Sequence, residues 1–533
     1  MKTTAHDSKK VWRMLSCDIL EKPGPWRVIG LAAGLLLALA PALVLVFAAE
    51  GSVSNSLGTL MAGGFGTALL RSLAVALAAA LASVAVGLPA GIVAGLYDFP
   101  ARRLLLALLA LPLLVPSFIL AIGLSLLRTT LAFSADGFLS GFSGTAIAFA
   151  FFGVPLVLFI TLASVRGISR SQVDAARLAG GERHLFGCVA RRVFPAAALT
   201  GLLAGVLTLS DPGPSQILGH AGAAAEILVS FSAQYDFALA ARQGMVLAGV
   251  VVILTLPVAF WLAPQLATGL LARDVPPAPL ARMKRVSILG PALFSTLLLL
   301  ILAMPLAGFI PPLFRSVPAE RAAQEVARTL GNTLRYGLVA SLLATVLGLT
   351  LAVCAGRSPK LRVALLAGLV LLFALPPSLG ALGWIHLAGV SPASLDPVLR
   401  SPFTVGLALA LRFFPVAALF AMRGLGTASP SWADAAAIHG VPLMTFARKV
   451  VAPWLAPVLL PAAILVFLLA TADVSSVLLL HPPGKGSLPL AIFTVMANAP
   501  ESLVGALCLT YVGGAAVLLA LAWFTMHSLK RTS

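Results

Sequence analysis

An all-α polytopic membrane protein, with about twelve transmembrane helices in two parallel six-helix repeats, is the fold class this sequence predicts. Three observations lead there. Of the 533 residues, 60% are hydrophobic and only 10% are charged, where a soluble chain carries roughly 45–50% apolar and about 25% charged residues. Too few charges remain to coat a soluble surface of that size, which excludes soluble enzymes, nucleic-acid binders and disordered proteins. The apolar residues fall in runs of bilayer-crossing length between short basic loops. Segments of the first half also recur in register in the second.

The elements follow in order. Segment 1–26 is polar and basic and runs into an apolar stretch without a signal-peptidase-like site, so that stretch is expected to be a retained first helix. Crossings are expected near 27–49, 68–96, 104–127, 144–165, 194–210 and 245–270 in the first half. In the second they are expected near 288–312, 333–356, 363–386, 402–423, 453–472 and 502–527. Some, such as 68–96, are longer than a membrane needs and tilt or extend into water. Twelve crossings leave both termini on one side. Lys2, Lys9, Lys10 and Arg13 share that side with loop 166–193 (Arg166, Arg170, Arg177, Arg183, Arg191, Arg192) and connection 271–287 (Arg273, Arg282, Lys284, Arg285). The positive-inside rule makes it cytoplasmic. The net charge of +18 therefore reports topology, and no nucleic acid is needed to explain it. Cys17, Cys188, Cys354 and Cys508 are scattered, with no metal-ligand spacing and no disulfide expected.

The repeat sets the architecture. Segment 69–95 aligns with 330–356, so that Gly87-Leu88 falls on Gly348-Leu349, 261 positions later. Pro116-Ser117 falls on Pro377-Ser378 at the same offset, and Pro155 on Pro415 at an offset of 260. With six crossings per half, the repeats share one orientation in the membrane, a parallel repeat. The Pro- and Arg-rich connection 271–287 reads as the linker between them.

Two loops interrupt the hydrophobic rhythm at matching places, 171–195 and 431–453. Each opens with Ser-x-x-Asp (Ser171/Asp174 and Ser431/Asp434), a capping-box-like helix start. Each continues Asp-Ala-Ala through Ala175-Ala176 or Ala435-Ala436 and reaches a glycine six residues after the acid, Gly180 or Gly440. Phe186 and Phe446 stand at the twelfth residue after the acid, and the next crossing begins at Pro195 or Pro453. The pattern describes a short helix, a glycine-permitted turn and a second amphipathic segment. At one site the acid and the glycine read equally well as ordinary caps. Their recurrence favours an element that docks a partner. Arg191-Arg192 and Arg448-Lys449 read as membrane-interface anchors.

These loops resemble those of the membrane subunits of binding-protein-dependent ABC importers of the type I fold, whose signature is a Glu-Ala-Ala loop followed by glycine and leucine-proline. The resemblance covers nearly the whole chain. It implies that Asp174, Ala175, Ala176, Gly180 and Phe186 form one ATPase-coupling helix region, and Asp434, Ala435, Ala436, Gly440 and Phe446 the other. This sequence departs from the pattern in having Asp for Glu in both halves and Pro195 two residues late in the first. It further implies a permease domain at 27–270 with coupling loop 166–193, a linker at 271–287, and a second permease domain at 288–527 with coupling loop 424–452. A cytoplasmic tail, 528–533, follows. The implied partners are two copies of an ABC ATPase subunit, which carry ATP-Mg, and an extracytoplasmic solute-binding protein. The chain itself is expected to have no catalytic residues, no cofactor and no metal, and to lie in a bacterial inner membrane. Fused members of this kind resemble ferric-iron and thiamine importers; stretch 478–493 looks more like the iron type, so ferric iron is the expected solute, with thiamine, phosphonate or polyamine as alternatives.

The opposite loops, 209–226 and 471–489, contain the corresponding acids Asp211 and Asp473 beside Gly and Pro turns. Such acids more often just solvate helix ends. The alternative is that they line the outer mouth of a translocation path with Ser210, Ser215, Ser475 and Ser476. His220 and His481 read as solvated loop residues. Arg71, Arg335 and Arg412, in or near crossings, face a cavity or snorkel. No phosphate loop, H-E-x-x-H or G-x-S-x-G is present, so this chain cannot hydrolyse ATP by the phosphate-loop route. A twelve-helix secondary carrier is the competing class, but it leaves the paired loops unexplained, and few ionisable groups sit in mid-membrane, where a proton-coupled carrier usually needs some.

Overall fold

The computed structural model describes residues 24–49, 64–131, 137–271, 279–315, 319–429 and 431–532. Cys17, Lys2, Lys9, Lys10, Arg13 and Arg273 lie outside them. The described residues are overwhelmingly helical, with ten helices long and apolar enough to cross a membrane, or up to twelve if each of two bent pairs counts as one span.

The first half consists of α1 (Pro25–Ala49), α2 (Gly66–Leu96), α3 (Arg102–Leu109), α4 (Ser117–Thr130), α5 (Gly141–Arg166), α6 (Arg170–Leu209), α7 (Gly213–Ile217), α8 (Ala223–Ser232) and α9 (Phe237–Leu271). The second begins with α10 (Lys284–Leu298), α11 (Met304–Ala307), α12 (Ala319–Ala355), α13 (Pro359–Ala374), α14 (Pro377–Val390) and α15 (Pro402–Thr427). It continues through α16 (Ser431–Ile438), α17 (Leu443–Phe446), α18 (Ala452–Ala472), α19 (Val474–Leu480), α20 (Leu488–Val495) and α21 (Glu501–Thr532). Helix α10 starts inside the expected linker, which is shortened accordingly.

Each half is built on the same three-helix core: α2 packs on α5 and α6, and α12 packs on α15 and α18. The repeat-related glycines explain the register. A Cβ on Gly87 would lie 2.8 Å from the Val154 carbonyl oxygen, and one on Gly348 2.6 Å from the Ala418 nitrogen. The helices cross there at a separation that only glycine permits, the usual device for close helix packing in lipid.

Two expected crossings are not single helices. Segment 104–127 breaks between α3 and α4 with a 97° bend, and 363–386 breaks between α13 and α14 with an 84° bend. The cause is local. Proline drives the residue before it out of the helical region, and Leu375 and Pro376 both adopt extended backbone (ψ 140° and 130°). Pro116 does the same in the first half (ψ 132°). Elsewhere the segment Arg170–Leu209 is two helices that meet at a kink with non-helical Gly180 and Gly181, and the second of them runs on into crossing five.

The halves interlock. Helix α1 lies against α14 and α12 of the second half, while α10 and α11 lie against α3 and α4 of the first. Phe294 stacks on Phe99 with ring centroids 4.9 Å apart. Gly123 and Gly383 are the close-approach points, where a side chain would collide with the backbone of Pro305 and Pro41 respectively. Helix α9 also packs along α13 of the opposite half.

Candidate functional site

At the core between the halves lies a cavity of about 180 Å³ whose wall includes Ser210, Asp211, Arg412, Asp473 and Ser475 together with Phe118, Phe152 and Phe493. Both acids expected at helix ends therefore converge on one space. Asp211 stands between α6 and α7: its Oδ1 accepts the Gly213 N–H at 2.9 Å, and Oδ2 accepts the Ser117 hydroxyl from the start of α4. Asp473 follows α18 and is the N-cap of α19, accepting the Ser476 N–H at 2.8 Å and the Ser476 hydroxyl at 3.2 Å. It is only 8% exposed. The broken spans thus serve the site: each bend brings a helix start to the cavity wall.

What neutralises the acids differs. Arg412 Nε, on α15, stands 2.9 Å from Asp473 Oδ2, an ion pair without hydrogen-bond alignment, and its guanidinium lies 5.4 Å from the Phe413 ring centroid. Of Arg71, Arg335 and Arg412, only Arg412 reaches the cavity. Arg71 and Arg335 are exposed on the outer faces of their helices. Ser210 and Ser475 line the cavity, whereas Ser215 and Ser476 do not. The Ser215 carbonyl accepts the His220 N–H at 2.8 Å. His481 Nδ1 sits 3.0 Å from the Val477 carbonyl oxygen and closes the end of α19, and His220 packs edge-on against Phe142. Among the described residues no three His, Cys, Asp or Glu side chains come together as a metal site.

At the other end, the paired loops form two short helices with one face outward. Asp174 and Ala175 are exposed, as are Asp434 and Ala435, while Ala176 and Ala436 turn inward. One turn on, Leu178 and Ile438 are 89% and 82% exposed. Their identical register, four residues after each acid, was present in the sequence, but only the structure shows these aliphatic side chains unburied. Both loops thus present an aliphatic side chain outward at the same register. Phe186 and Phe446 point the other way. Phe186 packs beside buried Leu185 and Val173, and Phe446 against Ala436 and Val441.

Local details correct two expectations. In the first loop the helix starts at Arg170 after Ser169, so Ser171 lies within the first turn and forms no capping box. Asp174 instead faces Arg170 Nε at 3.4 Å and Arg177 Nη1 at 3.9 Å. The turn is also made differently in the two halves. Gly440 is left-handed (φ +63°) and ends α16 with the Val441 N–H donating to the Ala436 carbonyl at 3.0 Å. In the first loop Gly180 is extended (φ −169°), and it is Gly181 that takes φ +68° with ψ −164°.

The first loop is fastened to the body. Tyr97 donates its hydroxyl to Glu182 Oε2 at 2.5 Å, and Arg177 Nε lies 2.5 Å from Glu182 Oε1. The linker pairs alongside: the Asp98 N–H donates to the Ala281 carbonyl at 3.0 Å, the Ala281 N–H to the Leu96 carbonyl at 2.9 Å, and Arg282 faces Asp98. Burial first, and then the Glu182 carboxylate, push the Tyr97 hydroxyl well above its ordinary pKa, so it remains a donor. The second loop is anchored by packing instead. Trp432 meets Trp454 edge-on at 4.9 Å, and Trp454 Nε1 donates to the Gly424 carbonyl at 3.1 Å.

Comparison with known proteins finds transport-system permeases. The thiamine transport system permease protein ThiP of Brucella suis biovar 1 (strain 1330) is 25% identical over 359 residues, a match covering 64% of this chain and 64% of that protein. ThiP of Brucella abortus (strain 2308) matches with the same identity and coverage. The chain resembles the permease subunits of ABC importers. The matched region spans just under two thirds of the relatives' length. No family model matches the sequence, and no solved structure does. The permease-like chain is thus an all-α, multi-pass membrane protein with relatives that are transport subunits rather than enzymes.

Proposed function

We propose that this chain forms the membrane pathway of an ATP-driven importer, one permease domain per half, with both termini cytoplasmic. Two ATPase subunits dock on the paired loops, and an extracytoplasmic binding protein delivers the solute to the opposite face. The observation that carries this reading is the matched pair of exposed faces, Asp174-Ala175-Leu178 and Asp434-Ala435-Ile438, each leading by a helix toward one central cavity. Closure of the ATPase dimer would push the two short helices together and rock the halves, a rigid-body switch. The cavity of about 180 Å³ is smaller than the roughly 300–1,000 Å³ that drug-sized ligands occupy, so an organic solute passes only when the halves part.

For the solute, thiamine is the better-supported reading than ferric iron. The relatives carry thiamine in their names, and the cavity offers phenylalanines with two carboxylates, where among the described residues no three metal-ligating side chains come together. Stretch 478–493, which suggested iron, contributes Leu478 and Phe493 to this aromatic wall. The test is reconstitution of the chain in proteoliposomes with its cognate ATPase and binding protein. ATP-dependent accumulation of labelled thiamine supports the assignment. Accumulation that persists without the ATPase would sink the importer reading, and ATP-dependent accumulation of iron in place of thiamine would overturn the solute.

A further inference from the structure

The two cavity acids are related by the repeat, yet the structure treats them unequally. Asp473 has Arg412 at 2.9 Å. The position equivalent to Arg412 in the first half, 260 residues earlier as for Pro155 and Pro415, is Phe152, which lines the same cavity without charge. Asp211 therefore has no ion pair among the described residues, only the Ser117 hydroxyl and the Gly213 amide. Arg412 and Asp473 line the same cavity as Asp211. With both carboxylates ionised, one arginine facing two of them gives the cavity a formal charge of −1. A second polar group lies there: Ser210 lines the cavity, is 5% exposed, and its hydroxyl has no hydrogen-bond partner among the described residues.

We propose that Asp211 is the specificity-determining residue of the pathway, selecting solutes that carry a single positive charge, with Arg412 as the resident counter-charge that sets this number at one. The proposal rests on the importer reading and refines its solute. An uncompensated carboxylate in a low-dielectric space is costly, and a passing monocation relieves that cost. Phe152 and Phe493 add faces on which an organic cation can rest. The Ser210 hydroxyl supplies a polar contact. An anion meets the unbalanced negative charge and is excluded, and a neutral solute gains nothing from Asp211.

The experiment reads cavity charge directly, apart from solute identity. In the full chain with its four native cysteines replaced, reconstituted with ATPase and binding protein under turnover, the thiol introduced by Ser475→Cys is labelled with a trimethylammonium or a sulfonate methanethiosulfonate reagent of similar size. The cationic reagent should react at least about tenfold faster, after correction for intrinsic reactivity, a difference of one decade in effective local affinity. Asp211→Asn, which keeps the accepting oxygen, should reduce that ratio to near one. The double variant Arg412→Gln/Asp473→Asn removes one charge of each sign and should keep the cationic preference. In parallel, uptake of thiamine is compared with its neutral isostere bearing carbon in place of the thiazolium nitrogen. The wild type should prefer the cation, and Asp211→Asn should lose that preference. An unchanged labelling ratio in Asp211→Asn overturns the proposal even if thiamine is transported. An Asp211-dependent ratio without thiamine uptake supports it and overturns the thiamine assignment instead.

Discussion

The two paired loops carry one motif but are held in place by different physics. The first is tied by a chain of polar contacts, Arg170–Asp174–Arg177–Glu182–Tyr97, and flanked by the linker's pairing at Ala281. It then continues into the membrane as one helix past a two-glycine break. The second has no ion pair on Asp434 among the described residues. It leans on the Trp432–Trp454 contact, and it reaches α18 through a π-turn at Ala447–Val451 just before Pro453. Proline lacks the N–H that would close a regular turn there. The cavity acids repeat the lesson, with an ion pair on one side and a hydroxyl and an amide on the other. The outward residues stand in the same register in both loops, while the contacts beneath them differ.

The sharpest way to break this comparison is at the outward faces. Leu178→Glu or Ile438→Glu should each lower ATPase-coupled uptake at least about tenfold, since either buries a charge in the proposed contact. Equal losses would show that both docking sites are needed, and an effect from only one would show an unequal pair. Next come the core crossings. Gly87→Val and Gly348→Val should each destabilise by about 1–3 kcal/mol through overpacking, read as matched falls in thermal midpoint in detergent. A large difference between them would mean the three-helix cores are less alike than their register.

The turn glycines should separate the halves. Gly181, with φ +68° and ψ −164°, occupies a region open essentially to glycine alone, so Gly181→Ala should cost about 1–3 kcal/mol. Gly440→Asn should be nearly neutral, because asparagine tolerates the left-handed region. The reverse order in measured stability and coupled uptake would reassign the turn. The smallest effect is expected from Tyr97→Phe, about 1 kcal/mol, for loss of one hydrogen bond to a half-buried carboxylate. Hydrogen exchange should speed up across 170–182 and leave 431–446 unchanged. Because the folded pKa of Tyr97 is raised above the unfolded value of about 10, its contribution is complete below that value and is lost only as pH rises through the folded pKa. The difference between wild type and Tyr97→Phe should therefore stay constant from about pH 6 to about pH 9.

The sequence by itself determined the membrane class, the doubled architecture and the place of both paired loops in the chain, because hydropathy and repeat register are local properties that survive without knowledge of packing. It marked Asp211 and Asp473 as a pair through their matching Gly/Pro surroundings. Only the tertiary structure decided that they face one cavity, that Arg412 serves one of them, and that Ser215 and Ser476 point elsewhere. Whether a crossing is straight or broken depended on backbone geometry at Pro116 and Pro376, and the exchange of first helices between halves depended on close contacts such as Gly123 with Pro305. Such contacts join residues far apart in the chain, where neither periodicity nor composition leaves a trace.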